Sequence, residues 1–274
     1  MLKFSICRRA KEGALVTAII YTAVIFIATF LGAFVGLGGG VVIKPVLDAI
    51  GLDPVDTVSF LSSVAVFSMS VSSTARHIVK KTPFETRIIL LLSAGSAAGG
   101  LLGDLLFRTL LEHFDEDLVK GIQSLLLGCL LAVVLVYLNG RFRRFSVQNW
   151  AGILAVGLGL GVVSSFLGVG GGPINVAVLV LFFGFSMKDS AVYSVAVIFF
   201  AQLAKLITIY ASNRFAPYDL RILLWIIPAA VIGGLIGAWL NRKCDETKIR
   251  RVFTACVGAV TLLNFYNAAT ALIF

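Results

Sequence analysis

Charged residues divide the chain into apolar windows of similar length. No Asp, Glu, Lys or Arg lies between Glu12 and Lys44 or between Arg144 and Lys188, runs of 31 and 43 residues. Shorter uncharged windows run from Thr57 to Ala75, Ile88 to Gly103, Gly121 to Gly140, Ser190 to Ala204, Ile222 to Asn241 and Val252 to Phe274. A helix crosses a hydrocarbon core of about 30 Å with about 20 residues. The pattern therefore predicts an all-α, polytopic integral membrane protein of about eight transmembrane segments, the first and fifth oversized. A membrane β-barrel is excluded because its strands alternate polar and apolar residues, and these windows do not. The first window follows basic residues as a signal peptide would, but it far exceeds the roughly 7–15 apolar residues of a signal. It is read as a helix that stays in the membrane.

The chain also repeats itself. At an offset of 132, Phe34, Gly36, Gly38, Gly39 and Gly40 meet Phe166, Gly168, Gly170, Gly171 and Gly172. At 133, Gly51 and Asp56 meet Gly184 and Asp189; at 134, Pro83, Phe84, Glu85 and Arg87 meet Pro217, Tyr218, Asp219 and Arg221. At that same offset Gly99, Gly100 and Gly103 meet Gly233, Gly234 and Gly237. An offset that drifts so little predicts two four-segment repeats, 13–140 and 147–274, within one membrane domain, a plan common in transporters. Most shared features read as structural. The Pro-aromatic-acid-x-Arg boxes suit helix starts, the Gly-Gly-x-x-Gly clusters suit close helix packing, and Asp56 and Asp189 suit N-caps.

The GxGGG stretches carry more. A straight helix of 43 residues would be about 65 Å long, twice the bilayer core, so segments 1 and 5 must break. Glycine runs are poor helix formers and Pro173 removes a further donor, which puts the breaks at Gly36–Gly40 and Gly168–Pro173. Unwound backbone at membrane depth is tolerated only inside protein or beside a polar cavity. Half-helices that start there aim free N–H groups back at an anion. The expected substrate-binding set is Gly38, Gly39, Gly40, Gly170, Gly171 and Gly172 with Lys44, Ser62, Ser63, Asn175, Ser194, Gln202 and Lys205. Of these, Lys44 and Lys205 supply positive charge. The competing readings are a glycine kink with no ligand, a Lys44–Asp48 bridge at i, i+4, and a Lys205 that snorkels to the interface.

Composition narrows the function. Charged residues are 14% of the chain against about 25% in soluble domains, and the mean hydropathy is +0.99, which excludes an ordinary soluble enzyme. The net charge of +9 sits in short clusters between segments, as cytoplasmic loops and lipid phosphates require, and does not imply nucleic acid. Cation and metal carriers need carboxylate, His or Cys ligands at depth. His77 and His113 are expected in loops, and Cys7, Cys129, Cys244 and Cys256 lack metal-ligand spacing. No metal, cofactor or ATP motif is present, and no nucleophile–base pair supports an enzyme.

With GLGGGVVIKP and LGVGGGPINV in duplicated halves, the chain resembles the sulfite exporter TauE/SafE family of membrane transporters over essentially its whole length. That resemblance implies movement, with export first, of small sulfur-containing anions such as sulfite or organosulfonates across the cell membrane. A Thr-Ser pair found in many members reads Tyr193-Ser194 and Phe60-Leu61 here, with Ser62 and Ser63 as substitutes. The alternatives are an anion channel or a carrier for another small oxyanion or carboxylate. Expected partners are the small anion and the lipid bilayer, with room for a homodimer. Four basic residues ahead of the first helix favour an inside N-terminus and parallel halves.

Overall fold

The structure, a computed structural model, describes residues 2–79, 86–140, 147–212 and 220–273. Ten α-helices account for nearly all of them: α1 Leu2–Val35, α2 Gly40–Ile50, α3 Val55–Val79, α4 Thr86–His113, α5 Glu116–Asn139, α6 Trp150–Phe166, α7 Gly172–Phe183, α8 Met187–Ala211, α9 Leu223–Lys243 and α10 Glu246–Ile273. Among the described residues there is no strand, and seven helices are long and apolar enough to span a bilayer: α1, α3, α4, α5, α8, α9 and α10. The oversized windows resolve into α1 plus the 11-residue α2, and α6 plus the 12-residue α7.

Both short helices fold back. Tyr21, 15 residues before Gly36, donates its hydroxyl to Asp53 at 2.5 Å, 14 residues beyond Gly39. In the second half, Val147 N–H donates to Phe182 O at 2.8 Å, joining the start of α6 to the end of α7. Each helix and its short partner thus form a hairpin whose two ends lie together and whose glycine tip is buried.

Around the hairpins the halves exchange helices. α4 packs on α6 while α9 packs on α1, α5 and α10 pack on each other, and α3 and α8 meet at the centre. Close approach comes from glycine. A Cβ on Gly95, Gly99 or Gly103 of α4 would meet the carbonyls of Leu154, Leu158 or Val162 of α6 at 2.0–2.3 Å, and one on Gly237 of α9 would meet Phe30 O of α1 at 2.3 Å. Without a hydrophobic drive between helices in lipid, such backbone contact is what holds a bundle together.

The helix starts follow capping rules. Val55 N–H donates to Glu116 Oε1 at 2.6 Å and Met187 N–H to Glu246 Oε1 at 2.9 Å, so an acid opening α5 or α10 meets the positive end of α3 or α8. The N-cap of α8 is Ser186 rather than Asp189; Asp189, three residues on, donates its N–H to Ser186 Oγ at 3.0 Å and its carboxylate accepts the Ser186 hydroxyl at 2.7 Å. Asp56 likewise lies in the first turn of α3 and does not precede it. His77 and His113, expected in loops, belong to the ends of α3 and α4, because these helices run past the uncharged windows. Positions 83–85 and 217–219 of the Pro-aromatic-acid boxes, and the basic residues 80, 81, 141, 143 and 144, lie outside the described residues.

Candidate functional site

The breaks share one backbone. Gly36, Gly38 and Gly39, and at the same spacing Gly168, Gly170 and Gly171, have φ between 67° and 82°. That region costs an L-residue roughly 1–2 kcal/mol and costs glycine nothing. The tips interlock: a Cβ on Gly172 would lie 1.7 Å from Leu37 O, and one on Gly40 2.5 Å from Val169 O. Ser194 of α8 fastens the crossing by donating toward Gly36 O (2.9 Å) and Gly172 O (3.3 Å). The last helical carbonyls are also met by amides, Phe34 O by Asn241 Nδ2 at 2.7 Å and Phe166 O by Gln123 Nε2 at 2.5 Å.

Their surroundings differ. Substituent positions on the first break point at Ala191 from Gly36, Ile198 from Gly38, Ala28 and Thr29 from Gly39 and Val66 from Gly40. On the second they point at Lys44 Cε (2.9 Å) and Ser59 Oγ (3.0 Å) from Gly168, Gln202 Nε2 (2.9 Å) from Gly170, and Ser164 and Asn175 Oδ1 from Gly171. In the first break Gly38 N–H and Gly40 N–H donate to Gly32 O and Gly38 O. In the second, no protein acceptor takes the N–H of Gly170, Gly171 or Gly172 among the described residues.

Two ammonium groups converge there. Lys44, one turn into α2, reaches across to the second break and donates to Asp48 Oδ2 and Gln123 Oε1, both at 3.0 Å. Lys205 Nζ donates to Ser59 Oγ at 3.0 Å, the same hydroxyl that lies beside Gly168 and the Lys44 stem. Lys205 is 9% exposed and does not snorkel; the Lys44–Asp48 bridge is present and buried. An ammonium carries three N–H donors. Among the described residues one remains on Lys44 and two on Lys205 without a protein acceptor. Gln202 Oε1 and Asn175 Oδ1 are buried without partners.

The structure therefore gathers Lys44, Lys205, Gln202, Asn175 and Gly170–Gly172 in one place and leaves Gly38 against Ile198 and Gly39 against Ala28 O and Thr29. Ser194 is occupied by backbone carbonyls, and Ser63 donates to Ser59 O at 2.7 Å. Ser62 is buried on α3. Sequence reading missed Gln123 and gave Ser59 no role. Gln123 lies 79 residues from Lys44, beyond the reach of any local pattern; only its being an uncharged polar residue inside the Gly121–Gly140 window hints at it. Among the described residues no cluster of His, Cys, Asp and Glu could hold a metal.

Comparison with known proteins agrees with a membrane transporter. Residues 21–263 match the family "Sulfite exporter TauE/SafE". The chain is 26% identical over 245 residues to the probable membrane transporter protein YunE of Bacillus subtilis (strain 168), covering 81% of this chain and 88% of that one. It is 28% identical over 114 residues to the probable membrane transporter protein MamO of Paramagnetospirillum magneticum (strain ATCC 700264 / AMB-1), covering 39% of this chain and 18% of that one. No solved structure matches. Matched by the family over residues 21–263, which include both glycine breaks, the chain belongs to the sulfite exporter TauE/SafE family and is a multi-pass membrane transporter.

Proposed function

We propose that this transporter is a secondary carrier for a small sulfur-containing oxyanion, sulfite or an organosulfonate, bound between Lys44, Lys205 and the second glycine break. The observation that carries this reading is the convergence of two buried ammonium groups on Ser59 and Gly168, with three N–H donors left over. A sulfonate offers three oxygens and one negative charge. Lys44, Asp48 and Lys205 together carry one positive charge. In a medium of low dielectric that match attracts a monoanion far more strongly than in water. Gln202 Nε2 and the N–H groups of Gly170–Gly172 add neutral donors beside it, and the Asn175 amide lies next to Gly171. Export is the direction the family name carries, and it is proposed here on that ground.

Proteoliposomes test the reading. Labelled sulfite and ethanesulfonate should show saturable counterflow, and acetate should compete weakly. Non-saturating conductance would instead identify a channel, and preference for carboxylates would overturn the sulfur-anion assignment.

A further inference from the structure

Asp48 is 5% exposed; its Oδ2 takes Lys44 Nζ at 3.0 Å, and its Oδ1 has no partner among the described residues. Resting on the reading of Lys44 as an anion-binding group, we propose that Asp48 takes up one proton from solution for each anion bound, so that anion and proton are carried together.

The empty pair is neutral and buried. A monoanion that takes the spare Lys44 N–H sets a second negative charge against the one ammonium that Asp48 already holds. An uncompensated buried charge costs several kcal/mol. Protonation removes that cost: a hydronium O–H breaks and returns water as the Asp48 O–H forms, and the unpartnered Oδ1 is a free position for it. On the α1 side, Tyr21 donates to half-buried Asp53 and lies within electrostatic reach of Asp48 as well.

The other groups around the pair define the rivals. α3 contributes Asp56, within electrostatic reach of Lys205, and Ser59; α4 contributes Asp104 and Arg108, also within reach of Lys205. α5 contributes neutral Gln123 and α10 neutral Asn267, which bonds Pro45 O at 2.8 Å; α7 has no titratable side chain. Lys205 is the serious rival, because an uncharged Lys205 that gains a proton with the anion would give the same stoichiometry. Anion and proton together carry no net charge, so membrane potential does no work on them. Direction then follows the anion gradient and the pH difference.

Ethanesulfonate is the probe, since the anion of a strong acid does not titrate. In nanodiscs, a wild-type protein that gains a proton on binding holds the ligand more tightly as pH falls. Its Kd should rise with pH, by up to about tenfold per pH unit for one proton taken up, and Asp48→Asn should bind with a flat profile. In proteoliposomes, a pH gradient should drive wild-type uptake and a potassium-diffusion potential should leave it unchanged. A flat wild-type profile with saturable binding overturns the coupling and leaves the anion site standing. A slope kept by Asp48→Asn and lost in Lys205→Gln moves the proton to Lys205 and also overturns it. No saturable binding of sulfite or ethanesulfonate removes the anion site and the coupling with it. If Asp48→Asn fails to fold, Lys205→Gln decides: a slope kept there leaves the proton with Asp48, and a slope lost there gives it to Lys205 and overturns the proposal.

Discussion

At the residue scale the main expense is two lysines taken out of water. Each buried ammonium costs several kcal/mol in desolvation. Lys44 recovers part of this through Asp48 and Gln123, and Lys205 has only a hydroxyl. A cation so weakly satisfied suits a ligand that completes it. Lys205→Gln, whose amide can still donate to Ser59, should raise the Kd for ethanesulfonate about tenfold to hundredfold, the loss of one hydrogen bond to a charged group. Isothermal titration on matched, folded protein checks this, and an unchanged Kd would make Lys205 structural. Gln123→Leu is a different kind of change. It strips an acceptor from Lys44 and a donor from Phe166 O at once, at about 1–3 kcal/mol for each group left unpaired. The variant should melt at lower temperature in detergent than wild type, and an unaltered melt would mean that water replaces the amide.

At the element scale, glycine does two jobs that a sequence pattern cannot tell apart. In the breaks it supplies positive φ, and in α4, α6 and α9 it lets backbones touch. The control lies within α6: a Cβ on Gly157 would sit 2.4 Å from Leu92 O and one on Gly161 2.1 Å from Ser96 O, while nothing lies within 4 Å of one on Gly159. Gly157→Ala and Gly161→Ala should each destabilise by at least the 1–3 kcal/mol of overpacking. Gly159→Ala should be neutral or mildly stabilising, since alanine is the better helix former. Thermal unfolding of the three variants separates contact from propensity; equal shifts would mean that α4 and α6 are not held by these glycines. The breaks were legible in the sequence because three consecutive glycines in a window too long for one helix admit few other structures. Which break carries the charge was not. Both show the same glycines, and Lys44 belongs by sequence to the first but reaches Gly168 of the second. Ser194 was read as a ligand donor because a buried hydroxyl near a break looks the same whether it meets an anion or a carbonyl. Only the position of Gly36 O decides.

At the scale of the whole molecule, fold-back changes the topology expected from charge. If each hairpin enters and leaves by one face, only α3, α4 and α5 cross in the first half and α8, α9 and α10 in the second. Three crossings per half place the second half upside down relative to the first, against the parallel halves favoured by the basic residues before α1. Lys and Arg then divide thirteen to eight, the same split that parallel halves give. Leaving aside buried Lys44 and Lys205, thirteen fall on the face that holds the α3–α4, α5–α6, α7–α8 and α9–α10 connections. Eight fall on the face that holds the N-terminus and the α4–α5 and α8–α9 connections. The positive-inside rule makes the first face cytoplasmic and puts the N-terminus outside. Asp115 and Asp245 occupy matching turns, before α5 and before α10, and both are exposed. Parallel halves would put them on one side of the membrane; inverted halves put them on opposite sides. In a cysteine-free background, Asp115→Cys should react with a membrane-impermeant maleimide on intact cells, and Asp245→Cys should react only after the membrane is opened. Labelling of both from the same side would mean that a hairpin crosses the bilayer after all, and the two tips would then no longer be approached from opposite faces.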